Sequence, residues 1–355
     1  LPLLQAQASY FYHAGGQNPR KVKELIMSQR KSVSIVIPNY NGVSLLEKYL
    51  PDTLRAVRSA KVPFELIIVD DCSTDGSVGF VRSKYPEAIL LVNAANRGFS
   101  YTCNQGILRA KMELVLLLNS DVSLSEDYFA KLWRYFEDPD TFGVMSRIIN
   151  SEEKIEDAAR FLSFSGLKFK GTHFFYSNDP AKHTPTAYLS GANALVSREK
   201  LMELSGFDEV FSPFYCEDVD LSFRAWRMGW KCFYEHDAVC HHEVSKTIRS
   251  ANSKKKLLSV VYRNKFVLHA IHLDGWRLGL WYVQMIFVEV LLRVVVGKFW
   301  ILRALKEFIG RRAQIRNSRE KLKKQMADKR SQLSLSDVKR VYFDPVHRWD
   351  ITIVR

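Results

Sequence analysis

Four short apolar runs, each closing on a loop of Asp, Asn or Gly, constrain this chain more than any bulk property. Val33-Ser-Ile-Val-Ile37 is β-branched and ends at Pro38, Asn39, Tyr40, Asn41 and Gly42, and Phe64-Glu-Leu-Ile-Ile-Val69 ends at Asp70-Asp71. Ala88 to Val92 and Leu114 to Leu118 repeat the pattern, the latter closing on Asn119-Ser120-Asp121. Runs of this length and composition read as buried strands. Between them, Leu45, Leu46, Tyr49 and Leu50 share one helical face, and 77–85 and 100–110 read as further helices. Strands alternating with helices predict an α/β protein with a mostly parallel sheet flanked by helices, Rossmann-like in its winding. In such sheets ligands gather at the carboxyl ends of the strands, where these polar loops fall. A redox dinucleotide domain is disfavoured, because no G-x-G-x-x-G follows the first strand.

Later signals are mixed. Residues 148–188 have poor periodicity and predict an irregular or antiparallel region where an acceptor could bind. A strand follows over 188–196, a helix over 198–205, then Gly206-Phe-Asp208, and a helix over 217–229 capped by Gly229. Residues 276–309 are rich in Trp, Leu, Val and Phe, but Glu289, Arg293 and Lys298 interrupt them. No uninterrupted stretch reaches the ~20 apolar residues of a spanning helix. The segment therefore reads either as helices lying in a membrane interface or as helices packed on the domain.

The formal net charge of +14 is concentrated in one region. Residues 293–330 hold thirteen Lys or Arg against Glu307, Glu320 and Asp328, a net of ten. A basic helix of this kind over 311–330 suits an anionic lipid surface, nucleic acid, an acidic partner or plain solvent. Nucleic acid is not expected, for want of any recognisable binding module. Five cysteines without a C-x-x-C pair argue against a disulfide framework and a structural zinc, and favour the cytoplasmic side. The first residues contain no charged region followed by a long apolar run, so no signal peptide is read there. The expected division is an N-terminal extension or linker over 1–31, a catalytic domain over 32–245, a helical basic region over 246–330 and a C-terminal tail over 331–355.

Carboxylates supply the candidate chemistry. Asp70-Asp71 and Asp121 follow different strands, and Glu217-Asp218 opens a late helix. Singly, each is most simply a loop hydrogen-bonder. Converging on one sheet edge they repel unless a cation sits among them, and oxygen-rich sites suit Mg²⁺ or Mn²⁺. Such an ion could neutralise a diphosphate leaving group. His241-His242 offers a nitrogen ligand, while Arg224 and Arg227 read as structural partners of Asp220 or Glu217.

The order Val33-Ser-Ile-Val-Ile-Pro-Asn-Tyr-Asn-Gly42, Ile67-Ile-Val-Asp-Asp-Cys-Ser-Thr-Asp-Gly76, Asn96-Arg-Gly-Phe99, Leu117-Leu-Asn-Ser-Asp121, Leu189-Ser-Gly-Ala192, Gly206-Phe-Asp-Glu209 and Glu217-Asp-Val-Asp-Leu221 resembles family 2 of the inverting glycosyltransferases. It is most similar to the branch containing rhamnosyl- and galactofuranosyltransferases, over residues 32–245. The resemblance implies a GT-A fold, to which the helical C-terminal region, membrane-associated or packed on the domain, is an extension. It implies a donor site that includes Asn39, in which Pro38 and Tyr40 line the nucleobase pocket, Asp70 holds the base or ribose and Asp71 supports the same loop. Arg97, Gly98, Asn104, Asn119 and Ser120 would complete that site, with Ser190, Gly191 and Ala192 as a close-packed wall. Asp121 matches the last Asp of the family's D-x-D motif, whose first Asp is Asn119 here, and would hold a divalent metal. His242 lies twenty-four residues after Asp218, similar to the family's metal-binding His, with His241 as fallback. Asp218 would be the catalytic base and Glu217 would orient it or the acceptor. The implied reaction moves a sugar from a UDP- or dTDP-sugar to a lipid-linked or growing glycan, peripherally at the cytoplasmic face of a membrane. A non-catalytic nucleotide-sugar-binding or scaffold subunit is the alternative.

Overall fold

The computed structural model describes residues 30–242 and 254–354. Residues 1–29 of the extension expected over 1–31, and residues 246–253 of the expected basic region, lie outside the described residues. The first half builds β1 (Val33–Asn39), α1 (Val43–Ala60), β2 (Phe64–Asp70), α2 (Ser77–Lys84), β3 (Ile89–Val92), α3 (Phe99–Arg109) and β4 (Leu114–Leu118). β1 lies parallel to both β2 and β4, and the register pairs Asn39 with Asp70. Because the strands are parallel, their polar ends share one edge of the sheet. α3 lies very close to the sheet, since a Cβ on Gly106 would come within 2.4 Å of Val36.

The sheet then grows through β5 (Val122–Leu124), α4 (Tyr128–Leu132), β6 (Thr141–Ile149), β7 (Ile155–Asp157), β10 (Thr184–Pro185), β11 (Asn193–Ser197), α5 (Arg198–Glu203), α6 (Glu217–Arg227) and β12 (Lys231–His242). Its order is β10-β12-β6-β11-β4-β1-β2-β3, with β5 on β12 and β7 on β6. β11 runs antiparallel to both neighbours, whereas β12 lies parallel to β6. The long strands thus keep one direction apart from β11, and helices cover a separate apolar core on each face. The weakly periodic region forms a hairpin, β8 (Ala159–Ser165) and β9 (Lys168–Ser177).

The C-terminal part comprises α7 (Lys254–His272), α8 (Gly275–Gln284), a π-helix (Met285–Leu291), α9 (Leu292–Val295), α10 (Trp300–Gly310), α11 (Arg312–Asp328), α12 (Leu335–Val338) and β13 (Ile351–Val354). One expectation is corrected here. Gly275–Val295 is a continuous helical run of 21 residues, long and apolar enough to cross a bilayer by length and composition. Its interrupting charges face the protein: Glu289 is buried and pairs with Arg293 and Lys168. Trp281, Met285 and Val290 are buried alongside it, so the run lies against the body along one face. α11 buries Ile315, Leu322 and Met326 and exposes most of its basic residues. The segment expected as a tail packs back onto the body, burying Val338, Phe343 and Val346 and pairing β13 with β9.

Candidate active site

At the end of β1, Asn39 is buried and donates to Asp70 Oδ2 at 2.9 Å and to Ser73 Oγ. Asp70 Oδ1 accepts from the Ser73 amide at 2.8 Å. Asp71, also buried, accepts from the amides of Arg97 and Gly98 and from Asn93 Nδ2, at 2.8–2.9 Å. Both carboxylates thus brace loops, which is what fixes the floor of the site. Pro38 is half-buried and Tyr40 exposed beside them. Asn104 is placed otherwise than expected. Its amide donates to Phe207 O and Glu209 and accepts from the Phe207 amide, so its hydrogen-bonding capacity is spent on the 206–209 turn rather than on the floor.

β4 ends at Asn119, whose amide donates to Ala192 O at 3.0 Å, tying the 119–121 loop to the Ser190-Gly191-Ala192 segment. Ser120 and Gly42 are neighbours there. Two residues on, the β5–β12 pairing sets Val122 opposite His242. Asp121 Oδ2 lies 3.5 Å from His242 Nε2, and His242 Nδ1 lies 2.9 Å from Glu156 Oε2. Burial would depress the imidazole, but Asp121 and Glu156 outweigh it and raise His242 to about 9. His241, on the other side of the strand, is half-exposed, and the carboxylate it meets is Glu153 at 3.9 Å.

The donor set fits a hard divalent ion. Asp121 is buried and its Oδ1 has no protein partner, a costly condition that a cation relieves. Among the described residues no cluster of three or more His, Cys, Asp or Glu is arranged for a metal. Two protein ligands suffice where substrate phosphates and water complete the shell.

Glu217 and Asp218 begin α6 after two consecutive non-glycine residues in left-handed conformation, Tyr215 (φ 75°) and Cys216 (φ 72°). Asp218 Oδ1 accepts from the Val219 amide at 2.8 Å and Oδ2 from the Gly191 amide at 3.3 Å. Burial raises Asp218, against the backbone donors and Arg160. Glu217 is buried with Oε2 unpartnered; burial, then the charge of Asp218, pushes it up to about 8. A Cβ on Gly191 would lie 3.6 Å from Asp218 and 3.7 Å from Phe99, ordinary contacts that the protein tolerates. The bare surface at Gly191 therefore keeps space open beside Asp218.

The weakly periodic region hides further members of this site. Asp157 pairs with Arg160 at 3.2 Å, and burial first, with Asp218 adding, lifts it to about 6 despite that partner. Arg160 also lies over the rings of Phe174 and Tyr188. The one sequence signal for them is the i,i+3 pairing of Asp157 with Arg160 after Glu156, in a stretch without strand periodicity. Arg224 takes the structural place expected of it, 2.7 Å from Asp220 and donating to Leu204 O and Gly206 O. The arrangement offers a braced nucleotide-side loop, a cation position and a buried carboxylate pair with one open face.

Comparison with known proteins agrees with this architecture. Residues 34–205 match the family described as Glycosyl transferase family 2. The N-acetylglucosaminyl-diphospho-decaprenol L-rhamnosyltransferase of Mycobacterium tuberculosis is 25% identical over 270 residues, covering 68% of this chain and 85% of the relative. Among solved structures, S. aureus TarS 1-349 in complex with UDP-GlcNAc superposes with a TM-score of 0.51 at 16% identity, over 88% of this chain and 92% of that one. GalNAc-T7 with UDP, GalNAc and Mn²⁺ gives 0.59 at 14% identity, over 90% of this chain and 58% of that one. The fold is the GT-A fold of glycosyltransferases. Within it, residues 34–205 form a Glycosyl transferase family 2 domain.

Proposed function

We propose that this protein transfers a sugar, with inversion, from a UDP- or dTDP-sugar to a hydroxyl of a lipid-linked or growing glycan. The observation that carries the proposal is the Asp218 carboxylate. It is oriented by two backbone amides and has the open Gly191 surface at its side, on the same domain as the Asp121–His242 pair. In the reaction the acceptor oxygen bonds to the anomeric carbon as the bond from that carbon to the diphosphate oxygen breaks, and Asp218 takes the hydroxyl proton. Glu217, neutral below about pH 8, leaves Asp218 as the ionised member of the pair. Pro38 and Tyr40 meet the nucleobase, Asn39 holds Asp70 and Ser73 behind them, and the Arg97-Gly98 loop that Asp71 braces borders the donor. Asp121 and His242 hold Mg²⁺ or Mn²⁺, which when bound neutralises the diphosphate leaving group. A relative named for transfer to a diphospho-decaprenol lipid supports a lipid-linked acceptor. The apolar outward face of Gly275–Val295 supports a peripheral position on the membrane.

The decisive experiment compares wild type with D218N for release of UDP or dTDP from a panel of UDP-GlcNAc, UDP-galactose and dTDP-rhamnose. The variant should bind nucleotide as wild type does and lose at least about a hundredfold in turnover, the range of a lost general base. Wild-type turnover by D218N removes Asp218 as base.

A further inference from the structure

The segment between the Gly206 turn and the carboxylate pair has an unusual set of partners. All six carbonyls from Val210 to Tyr215 accept hydrogen bonds, and five of them accept from side chains of the C-terminal helices. Asn264, fully buried on α7, donates through Nδ2 to Phe211 O at 2.6 Å, Phe214 O at 2.9 Å and Tyr215 O at 2.8 Å. Its Oδ1 accepts from Arg263 Nε at 2.8 Å, and Arg263 Nη2 in turn reaches Phe211 O and Ser212 O. Arg311, between α10 and α11, donates to Val210 O at 2.6 Å and Ser212 O at 3.3 Å. The remaining carbonyl, Pro213 O, accepts from the Phe99 amide at the start of α3.

This segment is also where the two halves of the candidate site meet. On one side, a Cβ on Gly98 would come within 3.0 Å of the Pro213 backbone, so the donor-side loop rests directly on it. On the other side come Tyr215 and Cys216, both left-handed, and then Glu217 and Asp218. L-residues avoid that conformation unless their surroundings impose it. The carbonyls that flank it are held by Asn264, and one turn into α6 a third residue of α7 joins: His272 Nε2 lies 2.9 Å from Asp220 Oδ1. Asn264, Arg263 and Arg311 all lie outside residues 34–205, the span of the family match.

We infer that Asn264, with Arg263 and Arg311, is a positioning residue for transfer: the C-terminal helices set the aim of Asp218 by gripping the 210–215 backbone. The inference rests on Asp218 being the base. The groups facing Asp218 are Glu217, Asp157, Arg160, Tyr188 and Cys216, and loosening the grip would admit more water to this cluster as well as disturb its geometry.

The test uses the full chain and the variants N264A, R311Q and D218N, with UDP and dTDP titration, thermal melting and the pH dependence of nucleoside-diphosphate release. N264A should lose about a hundredfold in kcat, the cost of a misaimed group, while nucleotide affinity changes less than about threefold. Its acid limb should move to lower pH as water reaches Asp218. R311Q, at the accessible end of the grip, should show the same changes to a smaller extent and decides the matter if N264A does not fold. The inference is overturned if the folded variants keep wild-type kcat, or lose kcat with an unmoved pH profile, while D218N is inactive. Wild-type turnover by D218N overturns the reading of the base itself, and this inference with it.

Discussion

At the residue scale, Glu217 and Asp218 are adjacent in sequence, yet Glu217 is buried and Asp218 half-buried, and they are not equivalent. Asp218 accepts from two backbone amides, which favour its ionised form, whereas Glu217 Oε2 has no donor at all. Burial and the neighbouring charge therefore leave the proton on Glu217 up to about pH 8. Two consequences follow for the pH profile. Turnover falls at low pH as Asp218 takes a proton, at a value above the ordinary carboxylate range because burial raises it. Above about pH 8, Glu217 ionises and adds a negative charge beside a site built for a diphosphate donor, so the wild-type rate falls again. E217Q imitates the neutral carboxyl. It should keep wild-type turnover at neutral pH within about fivefold, retain the acid limb and lose the decline at high pH. A pH–rate series on both proteins checks this, and an E217Q as inactive as D218N would move the base to Glu217.

At the element scale, strand periodicity separates two adjacent histidines that the sequence ranks only by spacing, His242 ahead of His241. Side chains alternate along β12, so the pairing with β5 that brings His242 to Asp121 necessarily turns His241 away, toward Glu153. H242A should raise the Mn²⁺ concentration needed for half-maximal turnover by about tenfold or more, while H241A leaves it unchanged; one lost ligand costs this order of affinity. Equal effects of the two substitutions would remove His242 as a ligand. The same periodicity explains what was legible beforehand. β1 to β4 announce themselves because they are buried on both faces and close on polar loops, and the resemblance to family 2 fixed the order of the loops. The reversed β11 was not legible, since a buried strand reads the same in either direction. Asp157 and Arg160 were missed because they flank the point where the chain leaves the three-residue β7 of the large sheet for β8 of the small one, so no single strand period spans both. Asn104 is a donor residue in what the resemblance implies, whereas its hydrogen-bond partners lie about a hundred residues away in sequence.

At the scale of the whole molecule, the helical run Gly275–Val295 has to satisfy two surroundings at once. Its charged residues pair inward, Glu289 with Lys168 and Arg293, and Gln284 bonds the 165–167 turn. Crossing a bilayer would require breaking these contacts and leaving Glu289 in hydrocarbon, at a cost of several kcal/mol. The outward face nevertheless exposes Trp276, Phe287, Leu292 and Val295, and Phe299 continues it, each 58% exposed or more. An apolar face this extended on a helix fixed along its other side suits a bilayer surface met in the plane. Exposed Lys298, in the turn that follows, and Arg303 and Lys306 on α10 carry a sign of charge that complements anionic headgroups. The full chain should therefore cosediment with vesicles containing phosphatidylglycerol, and less with phosphatidylcholine alone. Replacing Phe287 and Val295 by Ser removes about 3 kcal/mol or more of apolar burial, which lowers the partition by over about a hundredfold. The doubly substituted protein should remain folded and keep its nucleotide affinity, because neither side chain touches the site. If it binds vesicles as wild type does, the outward face is not the docking surface. If the wild type forms a dimer that this substitution dissolves, and ignores vesicles, the face belongs to a second copy of the chain instead of a membrane.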